Sequence, residues 1–209
     1  MIFLKFIAHR GVVKEGLKEN TMEAFLEAIK NSNYEGFELD VRVSKDKEFV
    51  IHHNSFINGK LLKNLDYKEL KELGVVRLKD VLRLKTDKKI FIEIKDFCID
   101  LGELTRLLSK TKLNIYLMSF DNNIIKKVST YKRKFKVGIL NYYLNSDDNY
   151  RYLDFICLLY LGINEKTIKT FEEQDIEVIL YGLPSHLKIK DYNVSVIADD
   201  EYVTKLKKY

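Results

Sequence analysis

Cysteine, proline and tryptophan are scarce or missing from this chain of 209 residues, which has two, one and none of them. Two cysteines cannot staple a disulfide scaffold. Cys98 and Cys157 also form no Cys-x-x-Cys pair, so neither a zinc knuckle nor a dithiol redox motif is present. Both are expected to be buried thiols in a reducing compartment. A single proline and 9 glycines leave no room for a collagenous repeat or a proline-rich spacer. No apolar run reaches the ~18 residues that a membrane span needs. Met1-Ile2-Phe3-Leu4 leads directly into Lys5-Phe6-Ile7-Ala8 with no charged lead and no cleavage site, so a signal peptide is not expected. A cytoplasmic chain without stable membrane insertion is the expectation.

Charge of one sign does not dominate either. Lysine and arginine number 36 against 31 acids, a formal net charge of +5. The densest basic run, Lys132-Arg133-Lys134 with Lys136 beyond it, has no interleaved aromatics and no reading helix. It reads as a solvated helix end entering a strand, and nucleic acid is not an expected partner. The modest excess of positive charge suits an anionic small-molecule substrate. Oligomeric state leaves no mark in the pattern.

What is present is an alternation of apolar strands and amphipathic helices. A first strand is expected over Ile2–Ala8. Asn20, with Glu23 three positions on, has the form of a capping box for a helix carrying Phe25, Ala28 and Ile29. A second strand spans Gly36–Val43, and the turn Lys45-Asp46-Lys47 leads into another at Glu48–His52. Two short helical segments follow, at Tyr67–Leu73 and Lys79–Leu84. Strand patterns then recur at Lys89–Ile94, Asn114–Met118, Phe135–Leu140, Phe155–Leu158, Glu177–Tyr181 and Val194–Ala198. Helical patterns fall at Ile99–Leu108, Asn122–Thr130, Glu165–Glu173 and Asp200–Lys208, with a short or irregular helix between Leu140 and Tyr152. Strands alternating with helices in this way imply parallel pairing. The first two major strands and the six later ones make eight, which favours a compact α/β (β/α)8 TIM-type barrel over an open doubly wound sheet. No linker or repeat divides the chain, so residues 1–209 read as one domain.

Against this apolar background a few polar residues stand out. Glu38 and Asp40 are two apart in one strand and so share a face, near that strand's C-terminal end. Two adjacent carboxylates repel, and a divalent cation with oxygen ligands would relieve them; an exposed edge strand is the plain alternative. Glu93 and Lys95 repeat the arrangement on the next major strand, where Glu93 could complete a three-carboxylate site and Lys95 could meet a phosphate oxygen or form an internal ion pair. His9 ends the first strand, the place where a barrel keeps its chemistry. Arg10 beside it offers a bidentate fork for phosphate. His52 and His53 end the strand after the acidic pair; neighbouring strand residues face opposite ways, so only one enters a site, and spacing alone picks neither. Two imidazoles flanking a phosphodiester would provide an acid and a base. Ser119-Phe120 follows a strand end, and Phe120 could wall a substrate. His186 reads as a surface residue, Asp199-Asp200 as a helix cap, and Tyr34, Tyr142, Tyr143 and Tyr160 as rim or core aromatics.

These blocks resemble the glycerophosphodiester phosphodiesterase family. The first is Ile7-Ala8-His9-Arg10-Gly11 with Glu19-Asn20-Thr21 and Ala24-Phe25. The second is Gly36-Phe37-Glu38-Leu39-Asp40-Val41 with Ser44-Lys45-Asp46 and Val50-Ile51-His52-His53, and the third is Glu93-Ile94-Lys95. The likeness is strongest over residues 7 to 95; beyond it, Ser119-Phe120 and Ile197-Ala198-Asp199 are similar to the family's later motifs.

The resemblance implies a barrel, and this chain departs from the family in having a reduced insertion after the second strand region. It implies one divalent cation, Mg²⁺ or Ca²⁺ with Mn²⁺ as a further candidate, on Glu38, Asp40 and Glu93. His9 and His53 would be the acid–base pair, with Arg10, Lys95 and Phe120 on the substrate. The implied reaction turns a glycerophosphodiester into glycerol 3-phosphate and an alcohol. Its nucleophile would be the glycerol 2-hydroxyl, water then opening a cyclic phosphate, or water directly. Two other readings accompany it: a lysophospholipase D-like or cyclising lipid phosphodiesterase, and a non-catalytic phosphodiester-binding barrel. The chain departs from the family pattern at Asn54, where an aspartate usually follows the second histidine. It also departs at Lys18, in place of a proline, and in a closing strand without the usual threonine and proline.

Overall fold

The computed structural model describes residues 5–145, 149–184 and 194–206. Eight parallel strands close on themselves: β1 (Lys5–Ala8), β2 (Tyr34–Val43), β7 (Lys89–Ile94), β8 (Asn114–Ser119), β9 (Lys136–Asn141), β10 (Phe155–Leu159), β11 (Glu177–Tyr181) and β12 (Ser195–Ala198). Their order around the ring is β1, β12, β11, β10, β9, β8, β7, β2, and β2 pairs back with β1. The protein is a (β/α)8 barrel. The intervening numbers belong to the extension on β2, where β3 (Phe49–Ile51) pairs antiparallel with β2 and β6 (Val76–Arg77) pairs with β3. A two-strand clip, β4 (Phe56–Ile57) with β5 (Lys60–Leu61), completes it.

The helices are α1 (Met22–Lys30), α2 (Tyr67–Glu72), α3 (Leu78–Val81), α4 (Leu101–Ser109), α5 (Asn122–Ser129), α6 (Glu165–Glu172) and α7 (Asp200–Leu206). The crossover from β9 to β10 carries no helix among its described residues.

Strand alternation builds two cores. Phe37, Leu39 and Val41 of β2 and Ile90, Ile92 and Ile94 of β7 point outward under the helices, where Phe25 of α1 stacks on Phe37 at 4.9 Å between centroids. The intervening residues point inward, and Phe91, Tyr116, Met118, Phe155, Cys157 and Ile179 fill the barrel. Its N-terminal end is closed by a polar plug. Lys89 Nζ lies 2.6 Å from Glu177, Lys136 Nζ lies 3.0 Å from the same carboxylate, and Tyr116 donates to it at 3.0 Å. With hydrophobic side chains above this plug, the other polar inward positions fall at the C-terminal mouth.

Three expectations change. The N-cap of α1 is Thr21, whose hydroxyl accepts from Ala24 N at 3.3 Å, and not Asn20. Asn20 has φ +57, a conformation asparagine tolerates, and its amide is used elsewhere. Cys98 is exposed on the loop after β7, while Cys157 is buried in the barrel. Arg133 and Lys136 of the basic run are structural partners of Asp154 and Glu177. Met1–Leu4 and His186 lie outside the described residues.

Candidate active site

The register of β2 on β7 sets Asp40 beside Glu93, and strand periodicity puts Glu38 on the same inward face. All three carboxylates are buried, and one oxygen from each lies within 4.8 Å of the others. Burial pushes the Glu38 carboxyl well above its usual range, and Asp40 and Glu93 raise it further. Burial likewise raises Glu93, against the pull of Lys95.

Two cations offset only part of this charge. Lys95 Nζ sits 2.7 Å from Glu93 and 3.3 Å from Asp40. Arg10 reaches Asp40 at 3.3 Å and Glu19 at 2.9 Å. Oε1 of Glu38 is buried without a hydrogen-bond partner. Hard carboxylate oxygens gathered this closely, one of them unsatisfied, are a donor set that fits a divalent cation.

The turn after β1 is shaped for this site. Arg10 has φ +55 and Gly11 φ +80, which directs the Arg10 N–H onto Glu38 Oε2 at 3.0 Å. A Cβ on Gly11 would stand 2.7 Å from that of Ala24, so the turn can press against α1 only with glycine there. Asn20 completes the wall: its amide donates to Asp40 Oδ2 at 2.8 Å and accepts from the Asp40 N–H at 3.3 Å.

His9 and His53 both face the cavity, but they are held differently. His9 Nδ1 donates to Asp199 Oδ1 at 2.7 Å, and this bond lowers the pKa of Asp199. His53 Nδ1 lies 3.0 Å from Oδ1 of Asn54, a neutral acceptor. Burial lowers the His53 pKa, with Asp40 opposing and Lys95 and Arg10 assisting. The His53 backbone is clamped by Arg42, whose Nε and Nη2 donate to its carbonyl at 3.0 and 2.7 Å while Nη1 meets Asp96 at 2.5 Å. His52 instead turns back to the carbonyl of Asn54 at 2.8 Å and does not line the cavity.

The cavity holds about 240 Å³ and has two halves: His9, Arg10, Glu38, His53, Glu93 and Lys95 on one side, and Met118, Phe120, Leu140, Tyr181 and Ile197 on the other. Every site residue expected from the sequence is thus at one mouth: seven line the cavity, and Asp40 is buried against Arg10 and Lys95. Pattern reading missed Asn20, Arg42, Asp96 and Asp199. Asn20 and Asp199 are cap-type residues beside helices, which is how their sequence context reads. Arg42 and Asp96 look like ordinary strand-end charges until β2 and β7 are paired.

A parallel barrel with a buried acidic cluster and two imidazoles at its C-terminal mouth defines the class as a (β/α)8 protein whose cluster could hold a divalent cation. The profile of the Glycerophosphoryl diester phosphodiesterase family matches residues 9–192, and the chain belongs to that family. Lysophospholipase D of Homo sapiens is 31% identical over 132 residues, 63% of this chain and 41% of that protein. A glycerophosphodiester phosphodiesterase of Bacillus altitudinis is 36% identical over 44% of this chain and 45% of its own length. The alignments therefore span less than half of these curated relatives. A phosphodiesterase of Oleispira antarctica, solved with the product sn-glycerol-3-phosphate, shares the fold with a TM-score of 0.79 at 16% identity, over 97% of this chain and 95% of that one. Among the described residues no helix is long and apolar enough to cross a membrane.

Proposed function

We propose that residues 1–209 act as one barrel domain that hydrolyses glycerophosphodiesters to glycerol 3-phosphate and an alcohol in the cytoplasm. The observation that carries this reading is the shared cavity of His9, His53 and the Glu38–Asp40–Glu93 cluster.

Glu38, Asp40 and Glu93 would hold Mg²⁺ or Ca²⁺, with Mn²⁺ also compatible with the donor set. Bound there, such an ion supplies Lewis-acid polarisation of a nonbridging phosphoryl oxygen. Arg10 and Lys95 orient the phosphate by charge-assisted hydrogen bonds. His53, kept neutral by burial, takes the proton of the attacking hydroxyl, whether the glycerol 2-hydroxyl or water. His9, oriented by its hydrogen bond to Asp199, gives a proton to the departing alcohol oxygen as its bond to phosphorus breaks. Over the full cycle one water is consumed and one P–O bond is exchanged for another. The exposed thiol of Cys98 goes with a reducing compartment.

The test is turnover of glycerophosphocholine with added Mg²⁺ or Ca²⁺ by the wild type and by His9→Ala and His53→Ala. Each substitution is expected to lower kcat by about 10²–10⁴-fold. Wild-type turnover by either variant refutes the acid–base pair.

A further inference from the structure

We propose that Arg42 and Asp96 are positioning residues for the base: together they fix the peptide that joins His53 to Asn54, and so aim the His53 ring into the cavity. The inference rests on the phosphodiesterase reading and adds a pair that acts through His53 and not on the substrate.

His53 sits where the sheet gives out. The last backbone bond on this edge runs from the His52 N–H to the Asp40 carbonyl at 3.0 Å, and the chain is next tied at Ser55, whose carbonyl accepts from Leu62 N at 2.9 Å. Between them the His53 peptide is held by a side chain. Arg42 Nε and Nη2 donate to the His53 carbonyl at 3.0 and 2.7 Å. Two charged donors converging on one oxygen occupy both of its lone pairs and fix the peptide plane as a single donor would not.

That peptide leads into Asn54, which meets both imidazoles. Its Oδ1 stands 3.0 Å from His53 Nδ1, and its carbonyl accepts from His52 Nδ1 at 2.8 Å. The clamp therefore governs which ring enters the cavity and which nitrogen that ring presents. With Nδ1 of His53 on the amide oxygen, Nε2 is the nitrogen the proposed proton transfer uses.

Arg42 is in turn set by β7. Strand parity places it after Glu38 and Asp40 in the inward series of β2, yet it does not line the cavity. Among the described residues its ion pair is with Asp96, whose Oδ1 lies 2.5 Å from Nη1 and whose Oδ2 accepts the Val43 N–H at 2.8 Å. Lys95, the preceding residue, is turned onto Glu93 and Asp40. Consecutive residues at the end of β7 thus hold the phosphate side and the base side of the site, which sets the spacing between them. A misplacement of about 1 Å at such a spacing can cost about 10²-fold in rate.

The test uses Arg42→Met, which keeps the stem and removes the donors, and Arg42→Lys, which keeps the charge but not the two converging donors. Asp96→Asn is the milder third variant, because an amide can accept from Arg42 or from Val43 but not from both. Steady-state kinetics on glycerophosphocholine with Mg²⁺ should show kcat falling by about 10–100-fold in Arg42→Met, with little change in KM and little recovery in Arg42→Lys. Ring ¹⁵N spectra, with His53 assigned against His53→Ala, give a readout independent of activity. At a pH where the ring is neutral, the wild type should show one His53 tautomer with its hydrogen on Nδ1, and Arg42→Met and Asp96→Asn a mixture. A single unchanged tautomer in both variants overturns the inference whatever their activity. A loss confined to Tm, with kcat unchanged, also overturns it and leaves the pair as a tie between strands. Wild-type kcat in Arg42→Lys does the same, since charge pairing alone would then suffice. A wild type that cleaves no glycerophosphodiester with any divalent ion refutes the phosphodiesterase reading, and the ring spectra then decide the clamp by themselves.

Discussion

His9 and Asp199 are 190 positions apart in the chain and meet at 2.7 Å, joined because β1 and β12 pair in register where the barrel closes. His9 ends one strand and Asp199 follows the other, and the Ala198 carbonyl accepts the His9 N–H at 3.1 Å. The carboxylate fixes both the ring's orientation and its tautomer, since Nδ1 must carry the hydrogen, and Nε2 is the nitrogen the proposed reaction would use.

Asp199→Asn is therefore expected to lower kcat by about 10–100-fold with a small change in KM. Asparagine keeps the size of the group but not the charged acceptor that holds the ring. Steady-state kinetics on glycerophosphocholine check the split, and a change confined to KM would assign Asp199 to binding instead.

Asn54 sets the other histidine. Burial is the main cause of the lowered His53 pKa, and the amide of Asn54 adds no charge to counter it. Asn54→Asp places a carboxylate 3.0 Å from the ring by the same geometry and favours the protonated form. As the base must be neutral, the acidic limb of the kcat/KM profile is expected to move to higher pH, by up to about one unit. A limb that stays in place would show that His53 is not the titrating base.

The acidic cluster carries a stability cost that depends on pH. Glu38 has a folded pKa raised above its unfolded value, first by burial and then by Asp40 and Glu93. A raised carboxyl favours the protonated, low-pH form, so the metal-free fold loses stability as pH rises from about 4.5 toward the folded value. Thermal melts should show a larger Tm gain on adding Mg²⁺ or Ca²⁺ at pH 8 than at pH 5, where these pH values are approximate settings chosen from the carboxyl range. Glu38→Gln should raise the metal-free Tm at the higher pH and abolish most of the gain. A gain independent of pH in the wild type would contradict this.

At the opposite end of the barrel, Glu177 joins Lys89, Lys136 and Tyr116. Burial opposes its charge, but Lys89 and Lys136 outweigh it and lower its pKa, so this contribution is present at neutral pH and lost as pH falls through the folded value. Glu177→Ala leaves two lysines without their carboxylate and should cost about 1–3 kcal/mol in urea unfolding, less than a fully buried pair because the group is partly exposed. kcat should stay unchanged, because the plug and the mouth lie at opposite ends of the strands.

The barrel was legible because its eight strands are apolar runs separated by helix-period segments, and because Glu38, Asp40 and Glu93 interrupt those runs on one face. The resemblance chose His53 over His52, and the structure shows why spacing did not: both end the same strand, and only the loop beyond, clamped by Arg42 and Asp96, decides which ring enters. Asn20 and Asp199 were hidden by context, because a polar residue before a helix has the form of a cap whether or not its side chain is needed by a distant strand. Cys98 was misread because cysteine is usually buried, and its exposure follows from the turn after β7.

The central claim is tested most directly by soaking crystals in Mn²⁺ and measuring the anomalous difference density. One peak is expected at about 2.0–2.6 Å from oxygens of Glu38, Asp40 and Glu93, between His9 and His53. No peak at that mouth, or one bound by other residues, would contradict the account.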